Sequence, residues 1–306
     1  MSRPPAWLPE EPGSTGAETP TPWEKLPPAP LTLEGAALLH HVMRLRRPAW
    51  QALSEAERTA IAAEAAEWLA ARESAGAGRQ SALYSLLGHK GDLLWLHFRP
   101  DFEELHRTER ELGGLRLWRW LAPAGSLVSV VELGLYESTV KLWRALAARG
   151  VAPESAQWNA EVEALLERQR RAMQPRLYPE IPPARYLCFY PMARRRGEHR
   201  NFYRTAMPER LRMMREHGLS GRRYAEQVRQ IISAATGLDD WEWGVDLFAD
   251  DPVFFKKLVY EMRFDEASAD YALFGRFYLG RRCPADELAG LLAGRPPALQ
   301  DGRPSV

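Results

Sequence analysis

The side chains that could do chemistry in this sequence are concentrated between residues 176 and 280. The apolar run at residues 186–192 predicts a strand, whose alternation puts Tyr190 and Met192 on one face and Phe189 on the other. A strand that is apolar on both faces must be covered twice. The residues alone leave open whether a subunit or domain interface or a ligand cavity covers the Tyr190 face.

His217 lies at the end of a helical pattern at residues 209–217, with Met213 one turn before it and Gly218 directly after it. A histidine at a helix C-terminus is often a favourable cap for the helix dipole. In an apolar, methionine-lined setting it could also be the axial ligand of a haem iron. Both interpretations stay open on the residues alone.

Arginines make the same region locally basic, and most surface arginines are simply solvated. Arg263 follows an apolar helical run at residues 254–262, where a buried guanidinium would need an anionic partner such as a carboxylate. Gln230 lies in a segment, residues 222–236, whose pattern predicts a helix with Gln230 half-exposed beside its core face.

Composition excludes several classes of protein. The 306 residues carry 41 basic and 40 acidic side chains, which argues against a nucleic-acid-binding protein. No apolar run approaches the roughly 20 residues of a membrane span, and the first residues lack the apolar core of a secretory signal. Two cysteines without paired spacing fit a reducing compartment. A cytoplasmic location and no membrane partner are therefore expected. Dinucleotide, P-loop, zinc-protease and nucleophile-elbow motifs are absent.

The order of strand and helix patterns predicts an α+β fold in which helices cover one face of antiparallel sheets. Ser54 and Glu57 have the spacing of a capping box and predict the start of a helix at residues 54–71. The pattern repeats loosely and predicts the following parts: a disordered Pro-rich extension at 1–30, a first half at 31–135, a helical connector at 136–175, a second half at 176–282 and a C-terminal tail at 283–306.

Several strings between residues 176 and 280 resemble coproheme decarboxylases, the haem-biosynthesis branch of the chlorite dismutase superfamily. They are Arg176-Leu-Tyr178-Pro-Glu-Ile-Pro, Tyr186-Leu-Cys-Phe-Tyr190-Pro-Met192, Met213-Met-Arg-Glu-His217-Gly, Gly221-Arg-Arg-Tyr224, Asp239-Asp-Trp-Glu-Trp243-Gly-Val, Glu261-Met-Arg263-Phe-Asp-Glu-Ala-Ser268-Ala and Phe274-Gly-Arg-Phe-Tyr278-Leu-Gly280. A more diffuse similarity in the first half extends the resemblance over nearly all of residues 34–280.

The resemblance implies two ferredoxin-like halves, a homopentameric ring and a porphyrin site in the second half. It implies that His217 ligates the porphyrin iron and that Tyr190 forms the radical that abstracts hydrogen from a propionate. The residues that it implies for holding or surrounding the porphyrin are Arg176, Tyr178, Met192, Arg194, Gln230, Arg263 and Ser268. The implied reaction uses hydrogen peroxide to convert two propionates of iron coproporphyrin III to vinyls, through a three-propionate intermediate, and yields haem b. The substrate is then its own redox cofactor.

Two positions depart from the family pattern. Arg194 replaces a lysine that binds a propionate in many relatives, which keeps the charge but changes its reach and donor geometry. Phe202 replaces a tryptophan that is common in relatives, which puts in doubt an electron route through that position.

Three other functions compete with the decarboxylase. Chlorite dismutases carry a distal arginine where this chain has Gln230. A non-catalytic haem-binding protein would need His217 and the arginines but not Tyr190, and a structural ring protein would use the apolar strand faces as interfaces. A transient contact with a coproporphyrin ferrochelatase is a further partner that the resemblance allows.

Overall fold

A computed structural model describes residues 26–297 of the chain, and most of the predicted extension at 1–30 lies outside these residues. The strands are β1 (Thr32–Leu45), β2 (Ser81–Leu87), β3 (Leu93–Arg99), β4 (Leu121–Gly134), β5 (Tyr186–Arg194), β6 (Arg229–Ala234), β7 (Trp243–Ala249), β8 (Ala272–Phe274) and β9 (Tyr278–Arg282). The helices are α1 (Arg47–Gln51), α2 (Glu55–Glu73), α3 (Phe102–Gly114), α4 (Tyr136–Ala148), α5 (Ala156–Leu177), α6 (Met207–Arg222), α7 (Val253–Met262), α8 (Glu266–Ala269) and α9 (Leu288–Leu292).

The strands form one antiparallel sheet in the order β7-β6-β4-β1-β3-β2-β9-β5-β8, and a further pairing of β5 with β7 closes the sheet into a barrel. The predicted α+β class with antiparallel strands is therefore confirmed. The first half contributes the order β4-β1-β3-β2 and the second half the order β9-β5-β7-β6, so both have the same ferredoxin-like strand arrangement. The pairings β4–β6 and β2–β9 join the halves. The residue boundaries of the two halves stay a prediction.

The barrel interior is filled by side chains from both halves, which interdigitate as in other close-packed cores. Leu38, Phe98, Leu187, Phe248 and Tyr278 belong to this core cluster. At its centre the Nε2 atom of His40 lies 2.9 and 3.1 Å from the two carboxylate oxygens of Asp246, and both side chains are fully buried. The His40 ring also stacks on Phe189 at a centroid distance of 3.8 Å. Together with a buried hydrogen bond of 2.8 Å between the hydroxyls of Ser129 and Ser233, this pair connects the two halves inside a mostly apolar core.

Helices cover the outside of the barrel, and the best predicted of them is α2. Ser54 Oγ accepts from the Glu57 amide, while the Glu57 carboxylate accepts from the Ser54 amide, as the capping box requires. Buried Leu69 and its neighbours face the sheet. The segment predicted as a C-terminal tail contributes α9, whose Leu288 and Leu292 pack into the same cluster.

Four local predictions are wrong. Residues 222–236 do not form a helix, because residues 229–234 pair with β4 and β7 as strand β6. Helix α6 does not break at Gly218 but continues to Arg222. The apolar pattern at residues 117–121 predicts an extended segment, but Arg116–Trp120 is a 3-10 helix. The pattern at residues 274–279 predicts one strand, but the structure divides it into β8 and β9, and the Gly275 amide between them donates to the Pro191 carbonyl.

Gly280 tests the closure of the barrel at the β2–β9 junction. A Cβ atom at this position would lie 2.7 Å from the Tyr84 Cβ atom and 3.3 Å from a Leu86 methyl group. We expect Gly280→Ala to lower the free energy of unfolding by about 1–3 kcal/mol, the usual cost of overpacking. Urea denaturation measures this change. Gly113→Ala is the control, because a Cβ atom on Gly113 in α3 meets open space; equal stability of the two variants would contradict the prediction.

Candidate functional site

The outward face of β5 forms the floor of the candidate site. Tyr190 and Met192 point outward to a cluster that includes Val245, Leu247 and the α7 residue Leu258. The alternation predicted for this strand is confirmed, because Leu187 and Phe189 lie in the barrel core. Since β5 pairs with β7 on one side and with β8 and β9 on the other, the backbone fixes the direction of Tyr190.

Tyr190 is 7% exposed and stacks on Phe277 at 4.3 Å, with Phe274 at 5.8 Å. Burial raises the pKa of the phenol above its ordinary value, and the positive charges of Arg263 and Arg194 offset part of this effect. Within residues 26–297 the Tyr190 hydroxyl has no hydrogen-bond partner. The hydroxyl oxygen is not among the fully buried atoms that lack a partner, so it reaches the surface of the site, where a ligand can contact it.

His217 lies five residues before the end of α6, not at a helix terminus as the sequence predicted. Its Nδ1 atom is 3.0 Å from Oδ2 of Asp265, whose carboxylate also accepts from the Ser268 amide at 2.9 Å. The Ser268 hydroxyl lies 3.4 Å from His217 Nδ1, so Ser268 supports the histidine. His217 is 20% exposed, whereas the Asp265 side chain is 8% exposed.

The Asp265 carboxylate determines what His217 can do. Burial by itself would raise the pKa of Asp265, but the hydrogen bonds from His217 and Ser268 lower it below its ordinary value. The ionised carboxylate accepts the Nδ1 proton, which leaves the lone pair on Nε2 free to ligate a metal. Within the described residues Nε2 makes no hydrogen bond. This carboxylate–histidine pair suits an axial iron ligand.

Arg263 is exposed, which corrects the expectation of a buried guanidinium. It follows the last residue of α7, and its guanidinium lies 4.5 Å above the ring of Phe274, which in turn contacts Tyr190. No acidic side chain within residues 26–297 forms an ion pair with Arg263. It is therefore available to an anionic ligand over the Tyr190 face.

Arg194 is 6% exposed and donates to the Ala267 carbonyl at 2.7 Å. Its guanidinium also lies 3.4 Å from the sulfur of Met214 on α6. Burial lowers the pKa of Arg194, although neighbouring acidic groups offset part of that change. Arg194 thus connects the end of β5 to α6 and α8 without a carboxylate hydrogen bond to its side chain.

Gln230 lies on β6 rather than on a helix, opposite Leu247 and on the outside of the barrel. Its Nε2 atom donates to the Gly221 carbonyl at 3.2 Å. A Cβ atom at position 221 would already meet this amide at 3.2 Å, so glycine allows the close approach of α6. Gln230 therefore lies beside the C-terminal part of α6, which also carries His217.

Arg176 and Tyr178 lie apart from the residues around Tyr190 and His217. Arg176 is exposed near the end of α5, and Tyr178 packs against the barrel core and against a cluster around Leu33. Among the described residues neither forms a hydrogen bond with another predicted site residue.

A separate cavity of about 460 Å³ lies on the far side of Glu242, whose carboxylate accepts from the Arg194 amide at 2.6 Å. Its lining residues are Arg196, Asn201, Tyr203, Arg204, Thr236 and Glu242. None of the predicted site residues lines it, so this cavity does not mark the site around Tyr190.

Sequence reasoning missed Asp265, Phe274 and Phe277. Asp265 precedes Ser268 by three residues and caps α8, a pattern that predicts a helix start. Its contact with His217, 48 residues away, leaves no local signal. The sequence pattern predicts only ordinary strand residues at Phe274 and Phe277. Their contact with Tyr190 arises because β8 and β9 pair with β5.

Comparisons with known proteins agree with this architecture. The sequence profile of the family described as chlorite dismutase matches residues 56–283. A heme-binding protein of Thermus thermophilus superposes with a TM-score of 0.73 at 38% sequence identity, covering 88% of this chain and 99% of the other. A chlorite dismutase variant from Candidatus Nitrospira defluvii has a TM-score of 0.63 at 19% identity over 85% of this chain and 97% of its own, which is a likeness of fold.

A protein of Haloquadratum walsbyi that is named as heme-binding is 39% identical over 268 residues. The match covers 87% of this chain and 47% of the relative, so this chain spans about half the length of that protein. Within residues 26–297, none of the helices combines the length and the apolar character that crossing a membrane requires.

The role of Asp265 predicts a pH-dependent stability. Asp265→Asn keeps a good capping residue for α8 but loses the charge that faces His217. We expect a loss of about 1.5–3 kcal/mol near neutral pH, as for other charged hydrogen bonds. Because the pKa of Asp265 is lowered in the folded state, the wild-type advantage is present above the ordinary aspartate range and disappears as the pH falls below it.

Urea denaturation at several pH values measures this difference. Asp251→Asn is the control, since Asp251 accepts from the Val253 amide at the start of α7 and has no histidine partner. A constant difference between Asp265→Asn and wild type from neutral to acidic pH would contradict the assignment.

Proposed function

The chain belongs to the chlorite dismutase family, and from that premise we propose that it is a peroxide-dependent coproheme decarboxylase. It would convert two propionates of iron coproporphyrin III to vinyls and yield haem b. The observation that carries the proposal is the setting of Tyr190: its ring is buried, its hydroxyl has no protein partner in the described residues but reaches the surface, and the positive charges of Arg263 and Arg194 are close by.

The residues present fit an iron porphyrin with carboxylate substituents. His217 offers Nε2 to iron, because Asp265 holds Nδ1. Arg263 has no acidic partner within residues 26–297 and its planar guanidinium can pair bidentately with a propionate. The apolar rings of Phe274 and Phe277 suit the face of a macrocycle. Two relatives at 38–39% identity are described as heme-binding, which supports the same ligand class.

Each decarboxylation balances with one peroxide: a propionate, one hydrogen peroxide and one proton give a vinyl group, carbon dioxide and two waters. When bound, the iron porphyrin supplies the oxidising capacity in the presence of peroxide. Tyr190 would lose an electron and its phenolic proton, and the resulting phenoxyl would take a hydrogen atom from the propionate β-carbon. The carbon radical would give up a second electron to the remaining oxidising capacity, so that the bond to the carboxylate breaks and carbon dioxide and the vinyl group form. The raised pKa of Tyr190 keeps the proton in place until oxidation.

Arg263 and Arg194 would orient the reacting carboxylate, while His217 holds the iron. Phe274 and Phe277 shield the ring of Tyr190, and a bound macrocycle would keep water that could quench the phenoxyl away from its hydroxyl. Several further points stay predictions. They are a homopentameric assembly, a contact with a coproporphyrin ferrochelatase, a cytoplasmic location and porphyrin contacts of Arg176, Tyr178, Met192, Gln230 and Ser268.

Tyr190→Phe tests the mechanism directly. We expect normal binding of iron coproporphyrin III, because only one hydroxyl is removed from a strand that keeps its shape. Phenylalanine cannot form a phenoxyl, so peroxide should leave the propionates intact and bleach the porphyrin. Mass spectrometry of the porphyrin after a few equivalents of peroxide gives the result.

Tyr186→Phe is the matched control on the same face of β5, and we expect it to turn over normally. Haem b formed by Tyr190→Phe at the wild-type rate would exclude the radical role. A wild-type protein that binds the porphyrin but never loses a propionate would be a non-catalytic haem-binding protein instead.

Arg263→Ala tests the carboxylate partner. It should weaken binding of the four-propionate substrate by about 1.5–3 kcal/mol and affect the two-propionate product less. Titration of both porphyrins, followed by Soret absorbance, measures the difference. Arg223→Ala is the control, because Arg223 is exposed and already pairs with Glu261 at 3.5 Å. Equal weakening for both porphyrins would mean that Arg263 contacts a propionate that the product retains.

A further inference from the structure

Arg210, on the second turn of α6, is a buried cation without a counter-ion among the described residues. It is 4% exposed, and its Nη2 atom donates to the neutral carbonyl of Pro28. Its Nε atom is buried and has no hydrogen-bond partner. No carboxylate within residues 26–297 forms an ion pair with it.

Arg194 lies in the same small region. The guanidinium carbon atoms of Arg194 and Arg210 are 4.9 and 5.9 Å from the ring centroid of Phe202. The phenol of Tyr136 is close to both charges. Burial raises the pKa of this phenol, and the positive charges of Arg210 and Arg194 offset part of the increase. The side-chain acceptors of the two arginines are two carbonyls and a thioether, none of which carries charge.

Three acids lie in this region, and within residues 26–297 none forms an ion pair with the guanidinium of Arg194 or Arg210. Glu132 is close enough to raise the pKa of Tyr136, and burial raises its own pKa. Asp265 pairs with His217, and Glu242 accepts from the Arg194 amide and lies 3.7 Å from Arg196. A buried guanidinium without an anionic partner costs several kcal/mol in desolvation. Arg99 in the first half is also buried without a carboxylate partner in the described chain, but hydroxyls and carbonyls accept from its donors. The Arg210 Nε atom has no acceptor at all among the described residues, and this unused donor beside a second buried guanidinium indicates a place where an anionic group binds.

The position of Arg210 on α6 relates this place to the iron ligand. Arg210 precedes His217 by seven residues, which is two helical turns, so both lie on the same face about 10 Å apart along the axis. Met214 lies between them on that face, and its sulfur touches Arg194. A macrocycle held at His217 would therefore extend its rim towards Arg194 and Arg210.

We infer that Arg210 is a further carboxylate-binding residue of the site, which together with Arg194 holds a propionate on the porphyrin rim. The inference rests on the proposed porphyrin ligand but not on its decarboxylation. A carboxylate between the two guanidiniums would supply the missing negative charge and the acceptor for the Arg210 Nε atom.

The test is binding of metal-free coproporphyrin III, in which no iron–histidine bond contributes. We expect Arg210→Met to raise its Kd, measured by quenching of tryptophan fluorescence, by about ten- to a hundredfold, as for the loss of a charged hydrogen bond. Arg215→Met removes an exposed charge from the same helix and serves as the control. An unchanged Kd for Arg210→Met would overturn the inference.

A second readout separates binding from folding. Because the ligand-free protein holds Arg210 without a counter-ion among the described residues, Arg210→Met should be as stable as wild type or more stable in urea, whereas loss of a structural arginine would destabilise the chain. If Arg210→Met does destabilise the protein, the Kd of Arg210→Lys for metal-free coproporphyrin III gives the answer. An affinity restored towards the wild-type value supports carboxylate binding by residue 210, and an affinity as low as that of Arg210→Met contradicts it. Since no peroxide is used, failure of Tyr190→Phe to abolish decarboxylation would leave this result unaffected.

Discussion

The closure of the sheet around β5 is the constraint on which the rest of the structure depends. β5 is hydrogen-bonded to β7 on one side and to β9 and β8 on the other, so its side chains have no freedom to change face. Inward, Phe189 stacks on His40, whose ring holds Asp246 across the barrel. Outward, the adjacent Tyr190 is held against Phe277. One rigid strand therefore anchors the core of the barrel and positions the phenol on which the proposed chemistry relies.

An excess of uncompensated positive charge characterises the outer face of the second half. Asp265 is the acid nearest to His217, and it is used to orient the imidazole rather than to neutralise an arginine. Arg194, Arg210 and Arg263 consequently lack carboxylate partners for their side chains among the described residues. Of the two that are buried, Arg210 has a donor without any acceptor in that part of the chain, its Nε atom, which a carboxylate ligand would satisfy. The charge pattern and the free Nε2 atom of His217 favour the same ligand, a metal complex with acidic arms.

The sequence predicts those parts of the fold that have local causes. The capping box of Ser54 and Glu57, the alternation of residues 186–192 and most helix spans depend on neighbouring residues, and the structure has them. Strand β6 could not be predicted in this way, because its conformation depends on pairing with β4, about 100 residues earlier. The same limit applies to the site. The local pattern leaves the roles of His217 and Tyr190 open, and only the family resemblance assigns them. Asp265 gains its role through a contact 48 residues away, and Arg210 is notable because no carboxylate within residues 26–297 pairs with it.

The two halves share one strand order but differ in what covers the outward sheet face. In the first half Trp68, five residues before the end of α2, packs at 6.0 Å against both Trp95 and His97, and it fills the space between helix and sheet. Arg99 beneath it is satisfied by the hydroxyls of Thr108 and Ser81 and by backbone carbonyls. On α6 of the second half, His217 is likewise five residues before the end of the helix, but its Nε2 atom has no hydrogen-bond partner among the described residues, and Arg194 and Arg210 lack carboxylate partners there. The same architecture therefore gives a packed core in one half and the proposed ligand site in the other, and the side chains rather than the fold decide the difference.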